Sequence, residues 1–329
     1  MSIRRSTLQK WLETCSQNPL LVVGDLMLDH WVWGQVSRIS PEAPIPVVDV
    51  VRYTYTPGGA ANVVSNLRTL GVPVRMVGVV GRDESGRRLR TLLKREGADV
   101  SGVVADPTRP TTLKTRIVAH SQQVVRADFE SREALSPALQ AQVLEVFQRH
   151  LEDCRGVVFS DYNKGLFQPR LVGSMIALAR QKGVPLLGGP KPENLDRFLG
   201  ATLITLNARE AHQASGVATT PLARLLEAGS RLAARLPDSH LVVTRGEQGM
   251  TLFEQGGKVH HQPALASQVF DVSGAGDTVL ATLAWSLAAG AAPAQAIEVA
   301  SHAAAVVVKK VGTATARAQE ILESFQEPR

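Results

Sequence analysis

Short, uninterrupted apolar runs alternate with stretches of helical period along most of this chain, and that alternation constrains the fold more than any other feature. Leu20-Leu21-Val22-Val23-Gly24, Val74–Val79, Val157-Val158-Phe159, Pro185-Leu186-Leu187, Leu203–Leu206 and Leu241–Thr244 read as strands. Several are apolar at every position rather than at every second one, as expected of parallel strands covered on both faces. Helix-period segments lie between them, at 60–70, 85–96, 169–182, 222–235, 275–289 and 293–310. In the segment from 275, Val279, Leu280, Leu283, Ala284 and Leu287 share one face, and Gly290 and Pro293 supply the stop. The order predicts an α/β fold, a doubly wound, mainly parallel sheet flanked by helices.

Two segments break the alternation. Residues 31–56 carry Trp31, Trp33, Ile39, Ile45, Val47, Val48, Val50 and Val51, and residues 103–130 alternate apolar and polar, as in Thr112–Val118. Neither is flanked by a linker, so both are expected to be strands of a small inserted sheet, a lid on one domain spanning 1–329. Residues 326–329 are expected to fray.

With 44% hydrophobic residues the chain can bury a substantial core. No apolar run is long enough to span a membrane, and the N-terminus leads into no signal-peptide segment. Cys15 and Cys154 alone support neither a disulfide framework nor a structural zinc site, which points to the cytoplasm. A formal charge of +6 suits anionic ligands. The basic residues are scattered and only 5% of residues are aromatic, which argues against nucleic acid as a partner.

The richest motif is Asp271-Val272-Ser273-Gly274-Ala275-Gly276-Asp277-Thr278, at the head of an apolar helix. Gly274 and Gly276 permit a tight turn and keep side chains out of the space above it. The first amides of a helix lack internal partners and sit at the positive end of its dipole, an arrangement that binds anions. An acid in such a place is electrostatically misplaced unless it acts on something. Asp277 therefore reads as the base of a phosphoryl-transfer centre, with the amides of Ser273, Gly274, Ala275, Gly276 and Asp277 around the transferred group. No P-loop lysine motif and no protein-kinase catalytic-loop motif is present.

Ligands of such folds bind at the carboxyl ends of the strands. Asp25, Asp161, Lys191, Asn207, Glu210 and Arg245-Gly246 follow consecutive predicted strands and should converge on one rim. Glu210, with Asn207 three residues earlier, could organise Mg²⁺ through waters, since that ion dehydrates reluctantly; the same pair could equally cap a helix.

These residues carry a resemblance. Pro57-Gly58-Gly59-Ala60-Ala61-Asn62, the run from Gly78 to Gly86, and Asp271–Thr278 resemble the two signatures of the PfkB, or ribokinase-like, carbohydrate kinases. Gly24–Asp29, Ser37–Pro44, Gln122–Glu130 and Ser160–Gly165 resemble the subgroup of D-glycero-β-D-manno-heptose 7-phosphate kinases. The resemblance implies transfer from Mg·ATP to the anomeric hydroxyl of the heptose 7-phosphate, giving the 1,7-bisphosphate for lipopolysaccharide inner-core synthesis. It implies sugar contacts from Asp29, Gly58, Gly59 and Asn62. ATP would be held by Asn207, Thr244, Gly246 and the glycine loop, and a lid would mediate a homodimer. Such kinases are often fused to a nucleotidyltransferase; this chain resembles the stand-alone form. It departs from the family at Gly189, where Asp is usual before Pro190-Lys191, at Leu206, where Pro is usual, and at Trp31-Val32-Trp33, where the subgroup is rich in tyrosine.

A phosphorylated acceptor needs a cation at the far end of its pocket, and guanidinium forks suit phosphate. Arg38 and Arg126 lead a set that includes Lys114, Arg116 and Lys164. Asp161 and Lys164 are expected at the substrate, Lys191 and Ser273 at the nucleotide. The alternatives are another ribokinase-like kinase, for ribose, fructose phosphate or a keto-deoxy sugar acid, and a catalytically silent sugar-phosphate binding protein.

Overall fold

In the computed structural model, which describes residues 3–120, 122–266 and 268–325, Leu20–Gly24 (β1) is buried at every position. Leu20 and Val22 face one apolar cluster and Leu21 and Val23 the other, so the strand is covered on both sides. It lies within a nine-stranded sheet. From one edge the order is Val259–Gln262 (β13), Met250–Phe253 (β12), His240–Thr244 (β11), Leu203–Asn207 (β10), Leu186–Gly189 (β9), Gly156–Ser160 (β8), β1, Val74–Gly81 (β4) and Val103–Asp106 (β5). The strands from β11 to β5 run parallel, and β12 and β13 return antiparallel. A doubly wound, mainly parallel sheet is therefore the architecture.

One face carries Arg5–Cys15 (α1), Ala60–Thr69 (α2), Glu84–Arg95 (α3), Ala275–Ala288 (α8), Pro293–Val307 (α9) and Ala318–Ser324 (α10). The other carries Pro137–Leu151 (α4), Pro169–Gln181 (α5), Ala208–Ser215 (α6) and Leu222–Arg235 (α7). Helix α8 is apolar almost all round and buried through Trp285, which fits its place between α2, α9 and the sheet. The segment expected to be helical to 310 stops at Val307. The Val308 carbonyl instead accepts from the amides of Phe270 and Asp271, which ties the glycine-motif loop to the end of α9.

A second sheet has four strands, in the order Pro46–Gly59 (β3), Leu26–Ile39 (β2), Thr112–Ala119 (β6) and Gln122–Phe129 (β7). It differs from expectation at both margins. It begins at Leu26, whose buried neighbours Met27 and Leu28 root it in the core. Residues 103–106 do not belong to it, because Val103 and Val104 pair with Gly78 and Val79 on the edge of the main sheet. Residues 326–329 lie outside the described residues.

Candidate active site

The register places the carboxyl ends of the parallel strands side by side, with Gly24 opposite Ser160, Ser160 opposite Gly189, and Asn207 opposite Thr244. Asp25, Asp161, Lys191, Asn207 and Glu210 thus gather on one rim. Gly274, Gly276 and Asp277 meet Tyr162, Lys191, Glu210 and Thr244 in the wall of a polar cavity of about 190 Å³.

Gly274 precedes α8 in the left-handed region (φ 81°), where a side chain is strained; a Cβ there would also meet Asn62 Nδ2 at 2.8 Å. A Cβ on Gly276 would meet nothing within 4 Å, so this glycine opens onto ligand space. Among the described residues the amides of Gly274, Gly276 and Asp277 have no hydrogen-bond acceptor, so they are free to form an anion cradle. The cradle is narrower than expected: the Ser273 amide donates to Asp271 Oδ1 at 2.8 Å and the Ala275 amide to the Val272 carbonyl at 3.2 Å. Asp271 Oδ2 accepts from the Gly312 amide, so this acid shapes the loop.

Asp277 is buried, with one hydrogen bond on each carboxylate oxygen. Asn62 Nδ2 donates to Oδ2 at 2.8 Å and the Tyr162 hydroxyl to Oδ1 at 2.6 Å. Asn62 is oriented in turn by Asn66, which donates to the Asn62 carbonyl and accepts from Thr278 Oγ1, both at 2.8 Å. Burial raises the Asp277 pKa to about 6, against the lowering pull of Tyr162, Asn62 and Lys191, while Asp29 pushes it up. A carboxylate with such a pKa could serve as a base near neutral pH.

Asp29 is near enough to Asp277 for its charge to act on that carboxylate. Asp29 Oδ1 accepts from the Arg116 guanidinium at 2.6 Å, and its Oδ2 occupies the space that a side chain on Gly58 would fill. Gly59 makes the turn into α2 with φ 57°, bringing Gly58, Gly59 and Asn62 to the same place. Arg116 also stacks on Trp31, 4.8 Å from the ring centroid.

Asp161 lines the same polar cavity, and its carboxylate takes the amides of Asn163 and Lys191 and the side chain of Asn194 at 2.7–2.9 Å, so it also holds two loops together. Asp25 does the same for Tyr162 and Lys164, accepting both amides on Oδ2. Burial, reinforced by the nearby Asp161 charge, pushes the Asp25 pKa up to about 7. Asn207 and Glu210 form a reciprocal capping box at the start of α6, each side chain bonded to the other's amide at 2.9 Å. The second Glu210 oxygen accepts from Lys191 Nζ at 2.6 Å.

No group of three or more His, Cys, Asp or Glu among the described residues could cage a metal. A single carboxylate backed by a displaceable ammonium fits a hydrated Mg²⁺ carried on nucleotide phosphates, not a protein-caged ion.

Of the expected distal cations, Lys164 pairs with Glu130 at 2.7 Å and Lys114 with Asp128 and Glu130. Arg126 uses only Nε, on Asp128, which leaves its terminal fork directed to solvent. It is opposite Arg116, itself opposite Trp31, so it lies two strands from the Asp29 column, within about 12 Å. Arg38 is exposed near the far end of β2, nine residues and about 30 Å along the strand from Asp29. Arg38 therefore lies out of reach of Asp29 within one chain.

Thr244, Gly246, Ala275, Gly276 and Val279 also line an apolar cavity of about 440 Å³ closed by Leu265, Val272, Ala304 and Val308. Its size and lining suit a flat heterocycle, and it shares Gly276 with the cradle.

The sequence model of the "pfkB family carbohydrate kinase" matches residues 18–320. "Bifunctional protein HldE" of Geobacter sulfurreducens is 45% identical over 305 residues, 93% of this chain and 62% of the relative; the chain thus spans under two thirds of that protein's length. Among solved structures, Arabidopsis thaliana ribokinase complexed with ribose and ATP superposes with a TM-score of 0.73 at 19% identity, over 94% of this chain and 99% of the other. Phosphofructokinase-2 from Escherichia coli in complex with substrates and products gives 0.77 at 17%, over 94% and 98%.

Proposed function

Because the chain belongs to the pfkB family of carbohydrate kinases, a phosphotransferase acting on a sugar hydroxyl with ATP as co-substrate, we propose that its acceptor is D-glycero-β-D-manno-heptose 7-phosphate. The anomeric hydroxyl would be phosphorylated, giving the 1,7-bisphosphate for lipopolysaccharide inner-core synthesis. Asp277 takes the hydroxyl proton, the acceptor oxygen bonds to the γ-phosphorus, and the bond to the leaving ADP oxygen breaks. The amides of Gly274, Gly276 and Asp277 hold the transferring group. Asp29, Gly58, Gly59 and Asn62 bind the sugar. Thr244 and Gly246 line the adenine side, and Lys191 reaches the phosphates. Mg²⁺, when bound near Glu210, would shield phosphate charge.

The observation that carries the base assignment is the buried Asp277 carboxylate, bonded on both oxygens at the mouth of an anion cradle. The heptose reading is supported by the subgroup motifs Gly24–Asp29, Gln122–Glu130 and Ser160–Gly165, and by relatives named as bifunctional whose length exceeds the matched region. Arg126 is the cation best placed for the distal phosphate. The two cysteines, buried and unpaired, suit a cytoplasmic enzyme. The outer face of the four-stranded sheet suits a second copy of the chain.

A panel of sugars with and without a terminal phosphate tests the acceptor. Turnover should require the phosphate, and Arg126→Ala should raise KM for the phosphorylated sugar by about 10-fold or more with a smaller change in kcat. Faster turnover of an unphosphorylated sugar would overturn the heptose assignment.

A further inference from the structure

Tyr162 has no part in the reading above, yet it makes the shortest contact to Asp277. We propose that Tyr162 is a positioning residue for phosphoryl transfer: its hydroxyl, opposite Asn62, fixes the plane of the Asp277 carboxylate and so sets the direction of the lone pairs left to take the sugar hydroxyl proton. This rests on Asp277 being the base.

Three observations carry it. The first is the 2.6 Å contact from the phenolic oxygen to Oδ1, in the range of strong hydrogen bonds to a carboxylate. The second is how the tyrosine is held. Its amide and that of Lys164 donate to Asp25, and the next amide, of Asn163, donates to Asp161, so two buried acids are spent on one short turn. Burying carboxylates is costly unless they are fully bonded, and a surface turn needs no such support. Asn163 takes φ 55° within this turn, which the same bonds hold in place. The third is the setting of the ring. It belongs to neither apolar core; it walls the polar cavity beside Asp277, and the Lys191 ammonium lies 5.0 Å from its centroid while holding Glu210.

The direction of the electrostatics agrees. Donation from Tyr162 favours the ionised Asp277 and opposes the effect of burial. Burial and the Asp277 charge push the tyrosine pKa well up, so it stays a protonated donor through the working range. Asp29 and Lys191 face Asp277, and Glu210 and Asp29 face Tyr162. All remain when the hydroxyl alone is deleted, so a change in Asp277 titration reports that hydroxyl.

The test uses the full chain with Tyr162→Phe, and separately with 3-fluorotyrosine at position 162, a more acidic phenol and a stronger donor. ¹³C-aspartate NMR follows Asp277 in the ligand-free protein, its resonance identified by its loss in Asp277→Asn. The midpoint should rise by about half to one unit in Tyr162→Phe and fall with fluorotyrosine. The acid limb of kcat/KM should move with it, so that the loss in Tyr162→Phe is ~30-fold at pH 6 and narrows to ~5-fold at pH 9. An unmoved midpoint in both proteins, or a loss equal at every pH, overturns the proposal. If Tyr162→Phe does not fold, the fluorotyrosine protein decides alone. Failure of the wild type to phosphorylate heptose 7-phosphate would sink the acceptor assignment and leave the titration to judge Tyr162.

Discussion

At the scale of the residue, the site balances depth against charge. Asp277 is buried deeply enough to lift its pKa from an ordinary 3.8 to about 6, and only two donated hydrogen bonds and the Lys191 charge hold it there. A base must be ionised to act, so kcat/KM should rise with pH and level off above a midpoint near 6. Asp277→Asn should lower kcat by about 10²–10⁴-fold with ATP affinity little changed, measured by steady-state kinetics and calorimetry. The same burial sets a stability prediction. A raised acid pKa means that the folded chain holds a proton that the unfolded chain has lost between 3.8 and about 6, so stability falls as pH rises through that window and stays lower above it. Two units correspond to at most about 3 kcal/mol. Asp277→Asn should therefore melt above the wild type at pH 8 and level with it at pH 4; a lower melting point at pH 8 would show that the carboxylate supports the fold. The sequence makes Asp277, Gly274 and Asn62 legible because each lies in a compact glycine motif whose geometry has few alternatives. Tyr162 and the Asp29–Arg116 pair are not legible, since those contacts join residues 115 and 87 apart through loops of free orientation. Asp161 shows the limit of strand-end reasoning: spacing puts an acid on the rim but does not reveal that its carboxylate also holds two loops together.

At the scale of the element, the turn into α8 joins fold to chemistry. Gly274→Ala meets two obstacles, the left-handed backbone and the 2.8 Å approach of its new Cβ to Asn62 Nδ2. The first costs about 1–2 kcal/mol of stability. The second pushes Asn62 away from Asp277. Gly274→Ala should therefore lose at least ~10²-fold in kcat, more than a stability loss of that size accounts for, and Gly276→Ala, where space is open, should chiefly weaken ATP binding. Equal, mild effects of the two on kcat would refute the division. Elements themselves differ in how readable they are. The six central strands can be read because short, mainly apolar runs, several of them apolar at every position, fit little but a doubly covered sheet. Helices α1, α4 and α10 fall outside the sequence expectation, although α4 begins with a Ser136 cap and Pro137, a recognisable start signal; α6 is announced by its Asn207–Glu210 cap. Helix α1 buries only Leu8, Trp11 and Cys15 among eleven residues, too thin a stripe to stand out. Strand β5 resembles the lid in composition, and only its pairing with β4 separates the two.

At the scale of the whole molecule, the four-stranded sheet has one face committed and one open. Asp29, Trp31, Arg116 and Arg126 alternate onto the face that looks at Asp277. The reverse face carries Tyr53, Val125 and Phe129, all well exposed, and the edge strand β7 is open along its full length. An apolar face beside an unpaired strand edge is an aggregation hazard that proteins manage by covering it. A second copy offers the same surface to itself, which a two-fold interface requires. The chain should therefore run at twice its 35.3 kDa in light scattering at micromolar concentration. Val125→Lys with Phe129→Lys should yield a folded monomer, since both side chains are solvent-exposed in the single chain and neither supports its core. Pairing of two lids would also carry each far tip toward its partner, which gives Arg38 a site that its own chain denies it. Arg38→Ala should then raise KM for the phosphorylated acceptor in the dimer and have no effect in the monomeric double variant, where KM is already raised. A wild-type monomer at micromolar concentration would refute both the interface and the reach of Arg38. A dimer in which Arg38→Ala is silent would keep the interface and leave the distal phosphate to Arg126 alone.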